Sequence, residues 1–141
     1  MTADPAAFRL ITDLIAEHAA ARPQAPALSD AHQALRYGAL GAAMDRLAAS
    51  LQQQGVRAGD AVALCGPSSV PQAVAMLAVL RAGAVAVPLP HSATPAQFAA
   101  MAQDCGARVG LVDTDADEAA ELAHCATSLL WLALPGNTPM T

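Results

Sequence analysis

The sequence predicts an α/β fold: a mostly parallel sheet built from repeated βαβ crossovers, with helices packed on it. Three observations carry this. Short apolar runs alternate with amphipathic stretches of helix length. Gly55, Gly83 and Gly106 stand where helical periodicity breaks. Two helical stretches open with the same start signal, a hydroxyl residue, an early proline and then a glutamine: Ser69-Val70-Pro71-Gln72 and Thr94-Pro95-Ala96-Gln97.

Taken in order, Phe8, Ile11, Leu14 and Ile15 share one helical face, with Asp13 and Glu17 on the other. That helix is expected from about residue 6 to Ala21, stopping before Pro23. Ala25 to Leu28 reads as extended, SDAHQ as a polar turn, and LRY at 35–37 as extended again. Leu40, Met44, Leu47 and Leu51 then mark an amphipathic helix ended by Gly55. The turn VRAGD leads to AVALC at 61–65, apolar enough for a strand covered on both faces. The Ser69 helix closes at Gly83, and AVAVPL follows as a strand in which Pro88 is tolerated only near the end. Phe98, Met101 and Cys105 mark a face of the Thr94 helix, closed by Gly106. Val109 to Val112 is a strand, the acidic turn Asp113 to Asp117 precedes a short helix to about His124, and SLLWLAL at 128–134 is the last strand. Residues 1–134 are expected as one α/β segment, with 135–141, PGNTPMT, as a linker-like tail.

The 141 residues are 55% hydrophobic and only 13% charged, which excludes a disordered chain. Aromatics are 3%, so the core must be layers of Ala, Val and Leu. The net charge of −5, with no basic stripe and no stacking platform, points away from nucleic acid. No signal-peptide pattern opens the chain. Arg81, Gly83 and Pro88 interrupt the apolar stretch 73–90, so no membrane span is expected. Cys65, Cys105 and Cys125 have no metal or redox spacing and read as buried thiols in a reducing cytoplasm.

Three stretches, in order and spacing, carry a resemblance. LRYGAL at 35–40 is similar to the first core motif of adenylate-forming enzymes, L-T-Y-x-E-L. GVRAGDAVAL at 55–64 resembles the turn and strand that follow it, and LRAGAVAVPLP at 80–90 resembles the second core motif, L-K-A-G-A-x-Y-V-P-L-D-P. The family comprises acyl-CoA synthetases and the adenylation domains of nonribosomal peptide synthetases. The resemblance covers roughly residues 8 to 134 and implies that the chain is part of the N-terminal subdomain of the adenylate-forming fold. It also implies a reaction in which a carboxylate and ATP, with magnesium, give an acyl-adenylate that is passed to a thiol. Arg36, Ala39, Pro90 and His91 depart from the motifs.

The chemistry of that reaction is not legible here. The family's phosphate loop is rich in Ser, Thr and Gly and holds a lysine; this chain has no lysine, its seven basic residues all being arginine. No catalytic, cofactor-binding or metal residue is assigned, and no cofactor is expected to bind this segment alone. Each remaining candidate has a simpler reading. GPSS at 66–69 follows a strand and opens a helix, where phosphates can bind, but lacks phosphate-loop spacing and reads as a turn and cap. His91 and Ser92 lie past a strand's C-terminal end and read as surface loop. His18, His32, His91 and His124 lack metal-ligand spacing. Nothing pairs Cys65 with a histidine, and Asp113, Asp115, Asp117 and Glu118 read as a solvated helix start.

Three functions are consistent with this reading. One is the N-terminal portion of an ATP-dependent carboxylate-activating ligase. Another is a truncated or degenerate adenylation-like domain serving as a structural or docking module. The third is an independent small α/β binding protein. The expected partners are the remainder of the adenylation domain, neighbouring synthase domains, or a second copy held through exposed apolar surface.

Overall fold

A computed structural model describes residues 8–113 and 130–133. Helix α1 runs from Ile11 to Ala21, strands β1 and β2 span Pro26–Ser29 and Ala34–Arg36, and α2 spans Tyr37–Gln53. Then come β3 (Ala61–Cys65), α3 (Val70–Arg81), β4 (Val85–Pro88), α4 (Pro95–Asp104), β5 (Val109–Val112) and β6 (Leu130–Ala133). Strands β4, β3, β5 and β6 lie in that order, every neighbouring pair parallel. The expected parallel sheet is therefore present, with the AVALC strand inside it.

The first two strands, expected only as extended pieces, pair as an antiparallel hairpin apart from that sheet. The reason is the length of the SDAHQ turn: so short a link returns a chain only antiparallel, because a parallel return needs a crossover. Asp30 shapes the turn by accepting from the backbone N–H groups of His32 (2.7 Å) and Gln33 (2.8 Å).

Helix α1 corrects an expectation. It starts at Ile11, and Phe8 to Leu10 precede it. Its buried positions are Thr12 and Ile15, whereas Phe8 is 88% and Ile11 54% exposed. The helix lies close on α2, where a Cβ at Gly41 would stand 3.0 Å from the Ala19 methyl. Tyr37, expected as the end of a strand, instead opens α2; its N–H donates to the Ala25 carbonyl at 3.0 Å and Gly38 N–H to Pro23 at 2.9 Å. Backbone groups at a helix start need such partners, and here the preceding loop supplies them.

Strand β3 divides the core by parity. Val62 and Leu64 face Ala48 and Leu51 of α2 and Ala75, Ala78 and Val79 of α3. Ala63 faces Ala99 and Ala102 of α4, and Cys65 meets Phe98 and Val112. Burying a Val or Leu side chain contributes about 1.5–3 kcal/mol and an Ala methyl far less, so the α2–α3 face supplies the larger share of stability. Leu47 touches this cluster and a second one, built from Ile15, Leu35, Leu40, Met44, Val70 and Val74, that fastens the hairpin and α1.

Gly55, Gly83 and Gly106 have positive φ, as helix stops require. In the stretch 80–90 that stop turns the end of α3 into β4, which runs back parallel to β3. Thr94 forms the full capping box with Gln97. At α3 only half of the expected box exists. Gln72 N–H donates to Ser69 Oγ at 3.2 Å, but Gln72 Oε1 is buried without a hydrogen-bond partner among the described residues. The helix expected after Asp113 lies outside the described residues, as does the 135–141 tail.

Candidate functional site at the strand ends

The connection from β3 to β4 runs through α3 on one face of the sheet, and that from β4 to β5 through α4 on the other. The chain therefore reverses its winding between β3 and β5. In open α/β sheets ligands bind beyond the C-terminal ends of the strands at such a reversal. Here those ends are Cys65-Gly66 and Val112-Asp113.

The crevice is filled by the protein itself. Asp113 N–H donates to the Cys65 carbonyl at 2.8 Å. A Cβ at Gly66 (φ +154°) would lie 2.9 Å from the Asp113 carbonyl oxygen and 3.0 Å from its Cβ, so the two strand ends touch through a glycine. Ser69 Oγ donates to Asp113 Oδ2 at 3.1 Å while accepting from Gln72 N–H. From the hairpin turn, Asp30 Oδ2 accepts from Val70 N–H at 2.7 Å. That bond, then those from His32 and Gln33, hold the Asp30 carboxyl below its ordinary value. Two carboxylates thus stand at the α3 N-terminus, where the helix dipole favours negative charge.

The N–H groups of Val70 and Gln72 are taken, and a phosphate entering there would meet Asp30 and Asp113. The residues do not fit a nucleotide phosphate. Asp30 was missed by sequence reasoning. A short-range signal, an Asp opening a turn, marked it as a turn residue, but nothing local pointed to Val70.

The other candidates are not brought together. His91 and Ser92 are exposed in the turn between β4 and α4. Ser92 lines a shallow depression with Pro90, Ala93, Gln97, Ala100 and Met101, which offers no titratable side chain. His18 Nδ1 lies 2.6 Å from Arg22 Nη2, and its ring centroid is 5.0 Å from that of Tyr37. His32 sits exposed in the hairpin turn. Among the described residues no group of three or more His, Cys, Asp or Glu side chains is placed to hold a metal ion. Cys65 is buried as expected, but Cys105 is exposed, because it caps α4 beyond its last buried turn; its thiol donates to the Ala102 carbonyl at 3.2 Å. His124, Cys125, Asp115, Asp117 and Glu118 lie outside the described residues.

The motif stretches themselves are framework. Leu35 and Leu40 are buried where the hairpin meets α2, Val62 and Leu64 form the central strand, and Ala82 and Ala84 bracket the Gly83 turn. The departures Arg36, Ala39, Pro90 and His91 are all exposed, and Arg36 Nη1 donates to the Gln24 carbonyl at 3.0 Å. The family described as AMP-binding enzyme matches residues 15–133. The chain belongs to this family of adenylate-forming ligases.

Two relatives and one solved structure give its scale. Malpinin synthetase of Mortierella alpina is 37% identical over 105 residues, covering 72% of this chain and 1% of that protein. The 4-coumarate–CoA ligase-like 3 of Oryza sativa subsp. japonica is 41% identical over 117 residues, 79% of this chain and 19% of its own length. The crystal structure of VinN superposes with a TM-score of 0.80 at 25% identity, over 89% of this chain and 31% of that one. The chain thus spans a minor part of each, and what it shares with the family is scaffold. Membership in the family decides against a chain that merely shares the βαβ pattern. Among the described residues no helix is long and apolar enough to cross a membrane.

Proposed function

We propose that this chain is the N-terminal portion of an ATP-dependent ligase that activates a carboxylate as its acyl-adenylate, releasing pyrophosphate, and passes the acyl group to a thiol. The observation that carries this reading is the match over residues 15–133 combined with coverage of only 31% of VinN. In this reading residues 1–134 are one α/β segment and 135–141 a linker, and ATP and magnesium are held by residues beyond this segment. No residue of the segment is catalytic. Its partners are the rest of the adenylation domain and neighbouring synthase domains, and the exposed thiol of Cys105 suits a reducing cytoplasm.

A second reading, a non-catalytic structural or docking module, is supported by the self-filled crevice around Asp113 and by the motif departures at Arg36, Ala39, Pro90 and His91. Under either reading Phe8, Leu10, Ile11, Met76, Leu80 and Val85 are exposed apolar side chains for other protein to cover, and the chain alone self-associates.

An antibody raised to this chain and used on source-cell extract separates the two. A band several times 14.2 kDa, with acid-dependent ATP–pyrophosphate exchange in the purified product, supports the ligase. A 14.2 kDa band without exchange supports the docking module instead. Sedimentation of the chain as a monomer at every concentration would count against self-association.

A further inference from the structure

Among the described residues, strand β4 is the outermost strand of the parallel sheet on its side. Its hydrogen bonds to β3 define which residues face outward. Val85 N–H donates to the Asp60 carbonyl at 2.7 Å, and Leu89 N–H donates to the Leu64 carbonyl at 2.9 Å. Backbone groups alternate along a strand, so residues 85, 87 and 89 point their N–H and C=O inward at β3 and residues 86, 88 and 90 point theirs outward. Those outward positions are Ala86, Pro88 and Pro90.

The placement of the prolines has a chemical consequence. A proline has no N–H, so between residues 85 and 90 the outer edge offers a single donor, that of Ala86. At an inward position either proline would have removed a ladder bond to β3; outward, it costs the fold nothing. Apart from its length of four residues, β4 shows little else that would keep an edge from pairing. It carries no charged side chain, its register with β3 is regular, and Val85 is 50% exposed. A short apolar edge without charge or bulge is a template for strand addition unless its donors are removed.

We propose that Pro88 guards the outer edge of β4 and keeps a second copy of this chain from adding to the parallel sheet there. The edge is a latent β-addition site that the same apolar strand of another copy would fit, and the proline closes it. This is independent of adenylation chemistry and of any association through the exposed side chains of α1 and α3.

The test compares wild type with Pro88→Val, which restores the outward N–H and favours the strand. In sedimentation at matched concentration, P88V is expected to show at least about a doubling of weight-average mass over wild type, the increment that one added copy gives. Adding Ala86→Pro removes the donor of residue 86 and brings the edge back to a single outward N–H, as in wild type, and the double variant A86P/P88V returns to the wild-type mass. P88V that keeps the wild-type circular dichroism and the wild-type mass overturns the proposal, as does a double variant that stays associated. Hydrogen exchange on wild type decides the matter even if P88V fails to fold. The amide of Ala86 exchanges as fast as loop amides while those of Val85 and Leu89 are protected; an Ala86 amide as protected as Val85 means a covered edge and overturns the proposal.

Discussion

Asp30 in the hairpin turn accepts a hydrogen bond from the backbone N–H of Val70, 40 positions further along the chain, at 2.7 Å. It is a helix cap supplied from another element. Through it the hairpin, which shares no ladder with the parallel sheet, is tied to the first turn of α3. Asp30→Ala removes that tie and the turn bonds to His32 and Gln33 together, and urea unfolding is expected at a lower midpoint. Asp30→Asn keeps an acceptor oxygen and is expected to fall between the two.

The same carboxylate gives a pH dependence of definite sign. Its pKa in the folded chain lies below the ordinary value of 3.8, chiefly through Val70 N–H. The unfolded chain therefore takes up the proton first as pH falls. The stability it contributes is complete above pH 3.8 and is lost as pH drops through the folded value. Urea midpoints measured on descending pH are expected to fall more steeply below that point for wild type than for Asp30→Asn. Parallel curves would remove Asp30 from the acid response.

Gly66 and Gly55 separate two reasons for a glycine. At Gly55 (φ +91°) no atom lies within 4 Å of an added Cβ, so Gly55→Ala meets only backbone strain, about 1–2 kcal/mol. At Gly66 an added Cβ meets the Asp113 backbone at 2.9 Å, and the strand ends must part. Overpacking adds about 1–3 kcal/mol, so thermal unfolding is expected to rank Gly66→Ala clearly below Gly55→Ala.

Ser69 and Thr94 carry the same type of cap in different surroundings. The Thr94 hydroxyl accepts from Gln97 N–H and the residue is exposed, so Thr94→Ala is expected to cost about 1 kcal/mol. Ser69 also donates to Asp113, so Ser69→Ala leaves a half-buried carboxylate short of a donor and is expected to cost more, about 2 kcal/mol. Equal losses in denaturant titrations would mean that the Ser69–Asp113 bond contributes nothing.

What could be read from the sequence was local. Glycine stops, the Thr94 box and the apolar run 61–65 each depend on neighbours within a few residues, and the structure has them where they were expected. Side-chain direction was less legible. Phe8, Ile11 and Ile15 do share helical spacing, but periodicity does not say where a helix begins or which flank meets its neighbour; α1 turns Thr12 and Ile15 inward because Ala19 must lie close on Gly41. The hairpin could be read only as two extended pieces around a turn, because extended residues look alike whichever ladder they join. Asp30 stayed hidden because its partner is distant in sequence, and a carboxylate in a turn has a sufficient local explanation.

The position of β3 bears on the order in which the protein can be made. Its two neighbours, β4 and β5, both come later in the chain. As the chain emerges at about 5–20 residues per second, AVALC has no strand to pair with until Val85 to Pro88 follows, roughly 1–5 s later. By then the residues of α1, the hairpin and α2 have been synthesised, and Leu51 at the end of α2 is an apolar surface that Val62 and Leu64 pack on in the folded chain. The central strand's helical partner in α2 is thus made before either of its strand partners.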